Sequence, residues 1–342
     1  MSWNVFAAGF GGIPLNKYHT FGLHVRAQKL LLPAREEEVP QAAQEAVYIL
    51  GEGSNTLPLG DLPPVLSTRY LRGYTVLETT PDTVRVEVAA GENWNSWVRF
   101  CITQGWHGLE NLAAIPGSVG AAVVQNIGAY GVEIAPFVES VYGWHKRWQT
   151  WQRLPAERCQ LSYRTSLFQT PEWQDQFVIT RVLLRLKRRY EPVLTYPDVE
   201  RRGHPRLLYD PLALYETIRA IRSEKLPTEG SAGSFFKNPI LQADQLQALR
   251  KKAPEVPFHP LPDGRYKVPA AWLIDRAGLK GYRLGGAQVH PRQPLVLVNL
   301  GNATPQDLWA LAQHVQKTVA ERWDIHLEPE VRVLAPVPTL EP

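Results

Sequence analysis

Cysteine is scarce in this sequence. Among its 342 residues only Cys101 and Cys159 occur, and neither lies in a C-x-x-C pair or at a Cys/His spacing that suits zinc. A disulfide scaffold and a bound metal ion are therefore not expected.

A long apolar run is also missing near the start of the chain. The stretch 1–14 has no basic segment ahead of its apolar residues, and glycine and proline interrupt these residues repeatedly. We therefore expect no secretion signal and no membrane contact, and the expected location is the cytoplasm.

Neither sign of charge dominates. The 37 Lys and Arg residues face 33 Asp and Glu, which gives a net charge of +4 and an isoelectric point near 9.0. The basic residues are spread along the chain and form no stripe of the kind that binds nucleic acid. A nucleic-acid partner is not expected, although a small anionic ligand is compatible with this charge.

Hydrophobic residues make up 44% of the chain, which is enough for a sizeable core, and the length predicts two or three lobes rather than one. Alternation predicts strands over 84–88, 177–186 and 329–334, with Arg181 and Arg185 on a solvated face. Helical spacing predicts helices over 92–105, after Asp210 as N-cap, and after Thr304 in a capping-box sequence. Because these elements do not alternate regularly, we expect α+β lobes.

Two glycine-rich segments stand out. The first, 51–55 (GEGSN), follows a short apolar run, and the second, 115–122 (IPGSVGAA), continues into 125–131 (QNIGAYG). The first segment has no third glycine and is followed by Pro58, so it does not fit the dinucleotide fingerprint of a Rossmann dehydrogenase. Taken singly, each segment fits a tight turn equally well. Together they describe two backbone nests for anions beside a flat surface of small residues, on which a dinucleotide could lie.

These segments belong to a longer series that resembles the UDP-N-acetylenolpyruvoylglucosamine reductase (MurB) family, in its longer type I subclass, over nearly the whole chain. The matching stretches are 18–22 (YHTFG), 51–55, 108–112 (GLENL), 115–133, 163–166 (YRTS), 233–239 (GSFFKNP), 272–275 (WLID), 285–287 (GGA) and 327–332 (LEPEVR).

The resemblance implies an α+β fold. It combines an FAD-binding lobe of the vanillyl-alcohol-oxidase (PCMH) type with a C-terminal α+β substrate-binding lobe. The implied division is 1–70 and 71–208 for two FAD-binding subdomains and 209–342 for the substrate domain, with the proline-rich stretch 190–211 at the boundary. The implied cofactor is non-covalent FAD, with NADPH as co-substrate.

The reaction that the resemblance implies is reduction of UDP-N-acetylglucosamine enolpyruvate to UDP-N-acetylmuramate, in the synthesis of peptidoglycan precursors. Hydride addition to the terminal carbon of an enol ether requires a group that stabilises charge on the neighbouring carboxylate, and a proton donor for the adjacent carbon. The resemblance assigns the proton to Ser234 and polarisation of the carboxylate to Arg164 and Glu330. From the residues alone, a surface arginine, a turn serine and a glutamate paired with Arg332 remain open.

The resemblance also implies the binding residues. Those for FAD are Gly51, Glu52, Gly53, Ser54, Asn55, Ile115, Pro116, Gly117, Ser118, Gly120, Ala121, Ala122, Asn126, Gly128 and Tyr130. Those for the substrate are Tyr163, Tyr196, Arg222, Lys225, Asn238 and Gln293. Two other functions remain possible from the sequence, a flavin oxidase of the same cofactor fold acting on an alcohol or hydroxy acid, and a non-catalytic nucleotide-binding module. Only small-molecule partners are expected, and the chain is expected to be a monomer.

Overall fold

A computed structural model describes residues 5–7 and 12–336 of the chain. Most of the N-terminal stretch on which the expectation of no secretion signal depends lies outside the described residues, as does the end of the predicted substrate domain. Within the described part, no helix combines the length and the apolar character that crossing a membrane requires.

The helices of the described residues are mostly short. They are α1 (Val39–Glu45), α2 (Trp94–Thr103), α3 (Val119–Val124), α4 (Pro197–Glu200), α5 (Pro211–Lys225), α6 (Ala243–Lys252), α7 (Ala270–Arg276) and α8 (Pro305–Trp323).

The strands are more numerous than the helices. They are β1 (Val5–Ala7), β2 (Ile13–Pro14), β3 (Arg26–Ala27), β4 (Lys29–Leu31), β5 (Tyr48–Leu50), β6 (Thr56–Pro58), β7 (Val65–Ser67), β8 (Tyr74–Thr79), β9 (Thr83–Ala89), β10 (Gly128–Ala129), β11 (Val132–Glu133), β12 (Val138–His145), β13 (Thr150–Pro155), β14 (Phe177–Lys187), β15 (Gly230–Ser234), β16 (Ile240–Leu241), β17 (His259–Pro260), β18 (Tyr266–Lys267), β19 (Arg283–Leu284), β20 (Ala287–Val289), β21 (Val296–Asn299) and β22 (Arg332–Leu334).

The described chain forms two compact units. The first contains Ala27–Gly53 and Pro63–Glu224, and the second contains Pro14–Arg26, Ser54–Leu62 and the chain from Lys225 onward. Each unit is therefore built from segments that are far apart in sequence.

An antiparallel sheet with the strand order β13-β12-β14-β9-β8 forms the larger part of the first unit. The predicted strands 84–88 and 177–186 are β9 and β14, which pair directly. The predicted helix 92–105 is α2, whose N-cap is Asn93. A smaller sheet, β1-β4-β7-β5, carries the first glycine-rich segment at the end of β5.

The first unit extends further along the chain than the predicted division at residues 208 and 209. Val199 and Leu207 of the proline-rich stretch are fully buried, as are Leu214 and Ile218 of α5, and all four belong to one apolar cluster with the α2 helix. Asp210 caps α5 as predicted, since its Oδ1 accepts the N–H groups of the next helical residues. The stretch 190–211 therefore packs within the first unit.

The second unit contains the four-stranded sheet β15-β21-β20-β19, the three-stranded sheet β16-β18-β17, and the parallel pair β22-β6. Helix α8 begins as predicted, because the Thr304 hydroxyl accepts the Asp307 N–H and the Asp307 carboxylate accepts the Thr304 N–H. Its predicted apolar stripe is buried, at Leu308, Leu311, Ala312, Val315 and Val319.

Charged side chains on the large sheet form a network rather than the simply solvated face that the sequence suggested. Glu87 of β9 is 7% exposed and accepts hydrogen bonds from Arg153 at 2.7 Å and from Arg181 at 2.9 Å. Arg181 also pairs with Glu36. Burial alone would raise the pKa of Glu87, but the hydrogen bonds from the two arginines outweigh it and lower the pKa.

We expect Glu87→Gln to lower the free energy of unfolding by about 1–3 kcal/mol, because two charge-assisted hydrogen bonds to a buried carboxylate are weakened. The wild-type contribution is present above the ordinary carboxyl pKa and is lost as the pH falls through the lowered pKa of Glu87. Urea unfolding at several pH values measures both effects.

Glu78→Gln is the matched control. Glu78 pairs with Arg85 on the same sheet, but its side chain is half exposed. The control should cost less than about 1 kcal/mol, and an equal cost for the two variants would contradict the argument.

Candidate active site

The two glycine-rich segments lie against each other in the first unit. β5 ends at Leu50, and a Cβ added to the following Gly51 would come within 2.6 Å of the Ser118 Oγ and 3.1 Å of the Ala121 Cβ. Gly53 has φ of +68°, a conformation that glycine adopts without strain. The close approach of the segments therefore depends on glycine at 51, and the turn depends on glycine at 53.

The backbone of the second segment is less open to a ligand than the sequence predicts. The N–H of Val119 donates to the Glu92 carbonyl and that of Gly120 to the Ala90 carbonyl, each at 2.9 Å. A Cβ at Gly120 would lie 2.7 Å from the Ala90 Cβ, so this glycine serves the packing of α3 on the chain. The sequence suggested that the backbone amides of this segment form a free anion nest, but these two amides are already paired within the protein.

Polar atoms without partners remain beside the same segment. The Ser118 Oγ and the Gln125 Oε1 are buried and have no hydrogen-bond partner among the described residues. Buried polar atoms are nearly always paired in proteins, so orphans of this kind point to a missing partner.

The β10-β11 hairpin is held by Asn126. Its Nδ2 donates to the Ser162 carbonyl at 2.8 Å and to the Glu133 carboxylate at 3.1 Å, and its Oδ1 accepts the Ala135 N–H at 3.2 Å. The side chain of Asn126, which the resemblance assigns to FAD, is thus engaged in the local fold.

The side chain of Arg164 contacts this hairpin. Its guanidinium donates to the carbonyl of Gly128 at 2.6 Å and to that of Asn126 at 3.4 Å, and lies 5.4 Å from the centre of the Tyr163 ring. A tight turn presents it, in which Ser162 and Thr165 exchange backbone hydrogen bonds. Arg164 is therefore an oriented side chain and not a loose surface arginine.

The backbone of this region is unusually strained. Eight described residues other than glycine have positive φ, and four of them are Ala114, Asn126, Tyr130 and Arg164, all in or beside the predicted site segments. Left-handed backbone costs a non-glycine residue about 1–2 kcal/mol, and such residues cluster at functional sites. Strain of this kind makes this part of the first unit a candidate functional site.

Arg222 of α5 is hydrogen-bonded to two of these strained residues, Ala114 and Tyr130. Its Nε donates to the Ala114 carbonyl at 3.2 Å, and its guanidinium is hydrogen-bonded to the Tyr130 hydroxyl. Burial raises the pKa of Tyr130 and lowers the pKa of Arg222. The Tyr130 ring meets the edge of Tyr196, with 5.2 Å between ring centres, while Tyr196 itself is 41% exposed.

In the second unit, Ser234 and Glu330 lie on neighbouring segments. β15 ends at Ser234, which is exposed after a bulge that contains Gly233 with φ of +72°. The carbonyl of the next residue, Phe235, accepts the N–H of Glu330 at 2.8 Å. The predicted serine and glutamate are thus brought together by backbone pairing.

The sequence predicted that Glu330 lies in a strand, but in the structure it does not. β22 begins at Arg332, where it starts to pair with β6, and Glu330 precedes it in irregular backbone. The strand predicted over 329–334 is therefore wrong in its first part, because the pairing with Phe235 sets the backbone at Glu330.

Asn55, at the end of the first glycine-rich segment, binds the same stretch. Its Nδ2 donates to the Glu330 carbonyl at 2.9 Å, and its own carbonyl accepts the Arg332 N–H at 3.0 Å. Its neighbour Ser54 accepts a hydrogen bond from the Thr20 hydroxyl at its carbonyl.

The other substrate-binding residues predicted in the second unit are Lys225, Asn238 and Gln293, and each lies in a different local structure. Lys225 is the last residue of α5 and is partly exposed. The Asn238 Oδ1 accepts the N–H of Ala270 at the start of α7, and Gln293 forms a turn in which its N–H donates to the His290 Nδ1 at 3.0 Å.

Profiles of two known domains match the chain. The profile "FAD binding domain" matches residues 27–145, and the profile "UDP-N-acetylenolpyruvoylglucosamine reductase, C-terminal domain" matches residues 225–334. The UDP-N-acetylenolpyruvoylglucosamine reductase of Paraburkholderia phytofirmans is 42% identical over 337 residues, which are 95% of this chain and 97% of the relative. The chain belongs to the UDP-N-acetylenolpyruvoylglucosamine reductase family.

Other members of this reductase family agree in length and in structure. The Escherichia coli K12 protein of the same name is 41% identical over 94% of this chain and 95% of its own length. The crystal structure of the Thermus caldophilus reductase matches with a TM-score of 0.68 and 26% identity, and covers 94% of this chain and 97% of that one. The predicted α+β fold class, with its FAD-binding lobe and C-terminal lobe, is confirmed.

Two asparagines that hold backbone beside the candidate site were not assigned a role from the sequence. Asn111 donates to the carbonyls of Tyr130 and Val193, each at 2.9 Å. The Asn95 Oδ1 accepts the Ala114 N–H at 2.7 Å and the Tyr215 hydroxyl. For Asn111 the available signal was an amide followed by the apolar run 112–115, since a buried amide needs partners.

We expect Gly51→Ala to weaken FAD binding by about 10- to 100-fold, because overpacking of this size costs about 1–3 kcal/mol. Gly51 does not have a positive φ, so the effect is steric. Titration of the apoprotein with FAD, followed by flavin fluorescence, measures it. The variant Ser118→Ala and the double variant Gly51→Ala/Ser118→Ala are measured beside it. The double variant relieves the clash, so its loss of binding free energy should be smaller than the sum of the losses of the two single variants, and a loss equal to that sum would refute this explanation.

Proposed function

We propose that this protein reduces UDP-N-acetylglucosamine enolpyruvate to UDP-N-acetylmuramate with NADPH, as an FAD-containing UDP-N-acetylmuramate dehydrogenase of peptidoglycan precursor synthesis. Family membership over nearly the whole chain supports this activity. The observation that supports the chemistry is the pairing of the Ser234 segment with Glu330 in the second unit. Reduction of an enol ether needs a proton donor, which oxidation of an alcohol does not.

The first unit fits FAD. The approach of Gly51 to Ser118 leaves no room for a side chain at position 51. In the second glycine-rich segment, the buried Ser118 Oγ and Gln125 Oε1 have no hydrogen-bond partner among the described residues. We propose that the glycine-rich segments hold the cofactor non-covalently, through backbone groups of 51–55, 115–118, 121–122 and 128–130 more than through the side chain of Asn126. When bound, FAD would supply the hydride chemistry that links NADPH to the terminal carbon of the enolpyruvyl group.

We propose that the side chains of the protein contribute electrostatic stabilisation and general acid catalysis. In the proposed reaction the Arg164 fork binds the substrate carboxylate and stabilises the negative charge that develops on it. Glu330 polarises the same carboxyl group, and Ser234 supplies the proton to the carbon next to it. The turn that orients Arg164 and the exposure of Ser234 after its bulge support these roles.

The substrate also carries a uridine diphosphate. We propose that cationic and amide side chains of the predicted set bind it, namely those of Lys225, Arg222, Asn238 and Gln293. Tyr163 and Tyr196 contribute aromatic surface. The protein is proposed to act as a cytoplasmic monomer on small molecules alone, without nucleic-acid or membrane partners. Residues 1–70 and 71–208 would serve FAD, and 209–342 the substrate.

Purification followed by stepwise addition of the two substrates tests the function. We expect a yellow protein whose flavin absorbance is bleached by NADPH without oxygen and recovers when the enolpyruvyl substrate is added. A colourless protein that FAD does not reconstitute would refute the proposal. A flavin that NADPH does not bleach, but that an alcohol or hydroxy acid bleaches and oxygen restores, would favour a flavin oxidase. A flavin that none of these compounds bleaches would favour a non-catalytic binding module.

A further inference from the structure

Both backbone groups of Glu330 have defined partners outside any strand. The N–H donates to the Phe235 carbonyl at 2.8 Å, and the carbonyl accepts the Asn55 Nδ2 at 2.9 Å. With both sides of the residue fixed, the direction of its Cα–Cβ bond is fixed as well. The position of the carboxylate then depends on side-chain torsions alone.

Asn55 is suited to this task by its place at the start of a paired strand. Its carbonyl accepts the Arg332 N–H, and the next residue, Thr56, opens the parallel register of β6 with β22. The side-chain amide therefore continues the pairing beyond the strand and reaches the carbonyl of Glu330. A parallel strand end would otherwise leave that carbonyl without a partner from β6.

We infer that Asn55 is a positioning residue for Glu330, and that its side chain acts on the reaction through Glu330 rather than by binding the cofactor. The inference rests on the proposed function, in which Glu330 polarises the substrate carboxyl group. It assigns the two ends of the first glycine-rich segment different tasks. Gly51 and Gly53 shape the turn beside Ser118, while Asn55 fixes a group that acts only on the enolpyruvyl substrate.

Asn55→Asp tests the inference with little change of shape. The substitution removes the Nδ2 donor and puts a carboxylate opposite the Glu330 carbonyl, while the backbone bond to Arg332 stays. Displacement of a group in the site costs about 10- to 100-fold in rate. We expect flavin reoxidation by the enolpyruvyl substrate to slow by about this factor in rapid-mixing experiments, with FAD content and flavin reduction by NADPH retained.

Asn299→Asp is the matched control. The Asn299 Nδ2 also donates to a backbone carbonyl of the second unit, that of Phe21, at 2.9 Å, and the residue is buried. The control loses the same type of hydrogen bond away from Glu330. It should lower the melting temperature without a selective loss of the second half-reaction.

The wild-type protein is measured first, so that failure of the proposed function is seen separately. If the wild type carries out both half-reactions, three results for Asn55→Asp would overturn the inference: loss of FAD, equal slowing of both half-reactions, or no change in either. If Asn55→Asp does not fold, Asn55→Ala, which removes the amide without adding charge, is judged by the same ratio of half-reactions.

Discussion

Ser234→Ala is expected to slow reoxidation of the flavin by the enolpyruvyl substrate by about 10²–10⁴-fold, the usual contribution of a positioned acid, while reduction by NADPH continues. The reason is chemical. Protonation of the substrate belongs only to the second half-reaction, and the hydroxyl is the one functional group that the variant removes. Anaerobic rapid mixing, with each half-reaction followed at the flavin absorbance band, separates the two rates.

Ser231→Ala provides the control for this variant. Ser231 lies on the same strand, β15, before the bulge, and its backbone N–H donates to the Thr20 carbonyl. Its hydroxyl has no role in the proposed reaction, so both half-reactions should remain close to wild type. If Ser234→Ala slowed both half-reactions equally, Ser234 would be structural and another group would supply the proton.

The elements that the sequence predicts well are those whose signals are local. The capping box at Thr304 and the N-cap at Asp210 are satisfied by residues within one helical turn, so the sequence around each start is sufficient. Strands β9 and β14 are recognised because their alternation reflects one buried face.

The proline-rich stretch 190–211 shows where local signals fail. The prolines there suggest a boundary between lobes, but Val199 and Leu207 are fully buried among apolar residues from distant parts of the chain. No local pattern shows which partner covers a single apolar residue in such a short helical turn. The same limit applies to Glu330, whose conformation is set by Phe235, a residue almost a hundred positions away in the sequence.

The sequence predicts candidate site residues, but it does not show which of their polar groups the protein itself uses. Glycine-rich segments suggest free N–H groups, yet two of these amides, at Val119 and Gly120, are used by the protein. Likewise, Asn126 and Asn55 occur in glycine-rich stretches that suggest ligand contact, and their amides hold the backbone instead. Whether an amide binds protein or ligand depends on distances that a linear pattern does not contain.

Arg164→Lys is expected to lower kcat/KM for the enolpyruvyl substrate by about 10²–10³-fold, the cost of removing one oriented donor to a developing negative charge. Lysine keeps the positive charge but loses the planar fork that can bind both oxygens of a carboxylate. Because arginine and lysine carry the same backbone penalty at φ of +53°, the strain at residue 164 does not change with the substitution.

Because the backbone strain is unchanged, a loss of kcat/KM in Arg164→Lys can be attributed to the loss of the guanidinium group. The melting temperature of Arg164→Lys should stay near that of the wild type, and FAD should remain bound, because the hydrogen bond to the Gly128 carbonyl can be made by an ammonium group as well. Arg99→Lys, at an exposed position on α2, controls for the loss of one guanidinium elsewhere in the first unit. Steady-state kinetics with both variants decides the question: an Arg164→Lys enzyme with wild-type kcat/KM would show that the fork of Arg164 does not bind the substrate carboxylate.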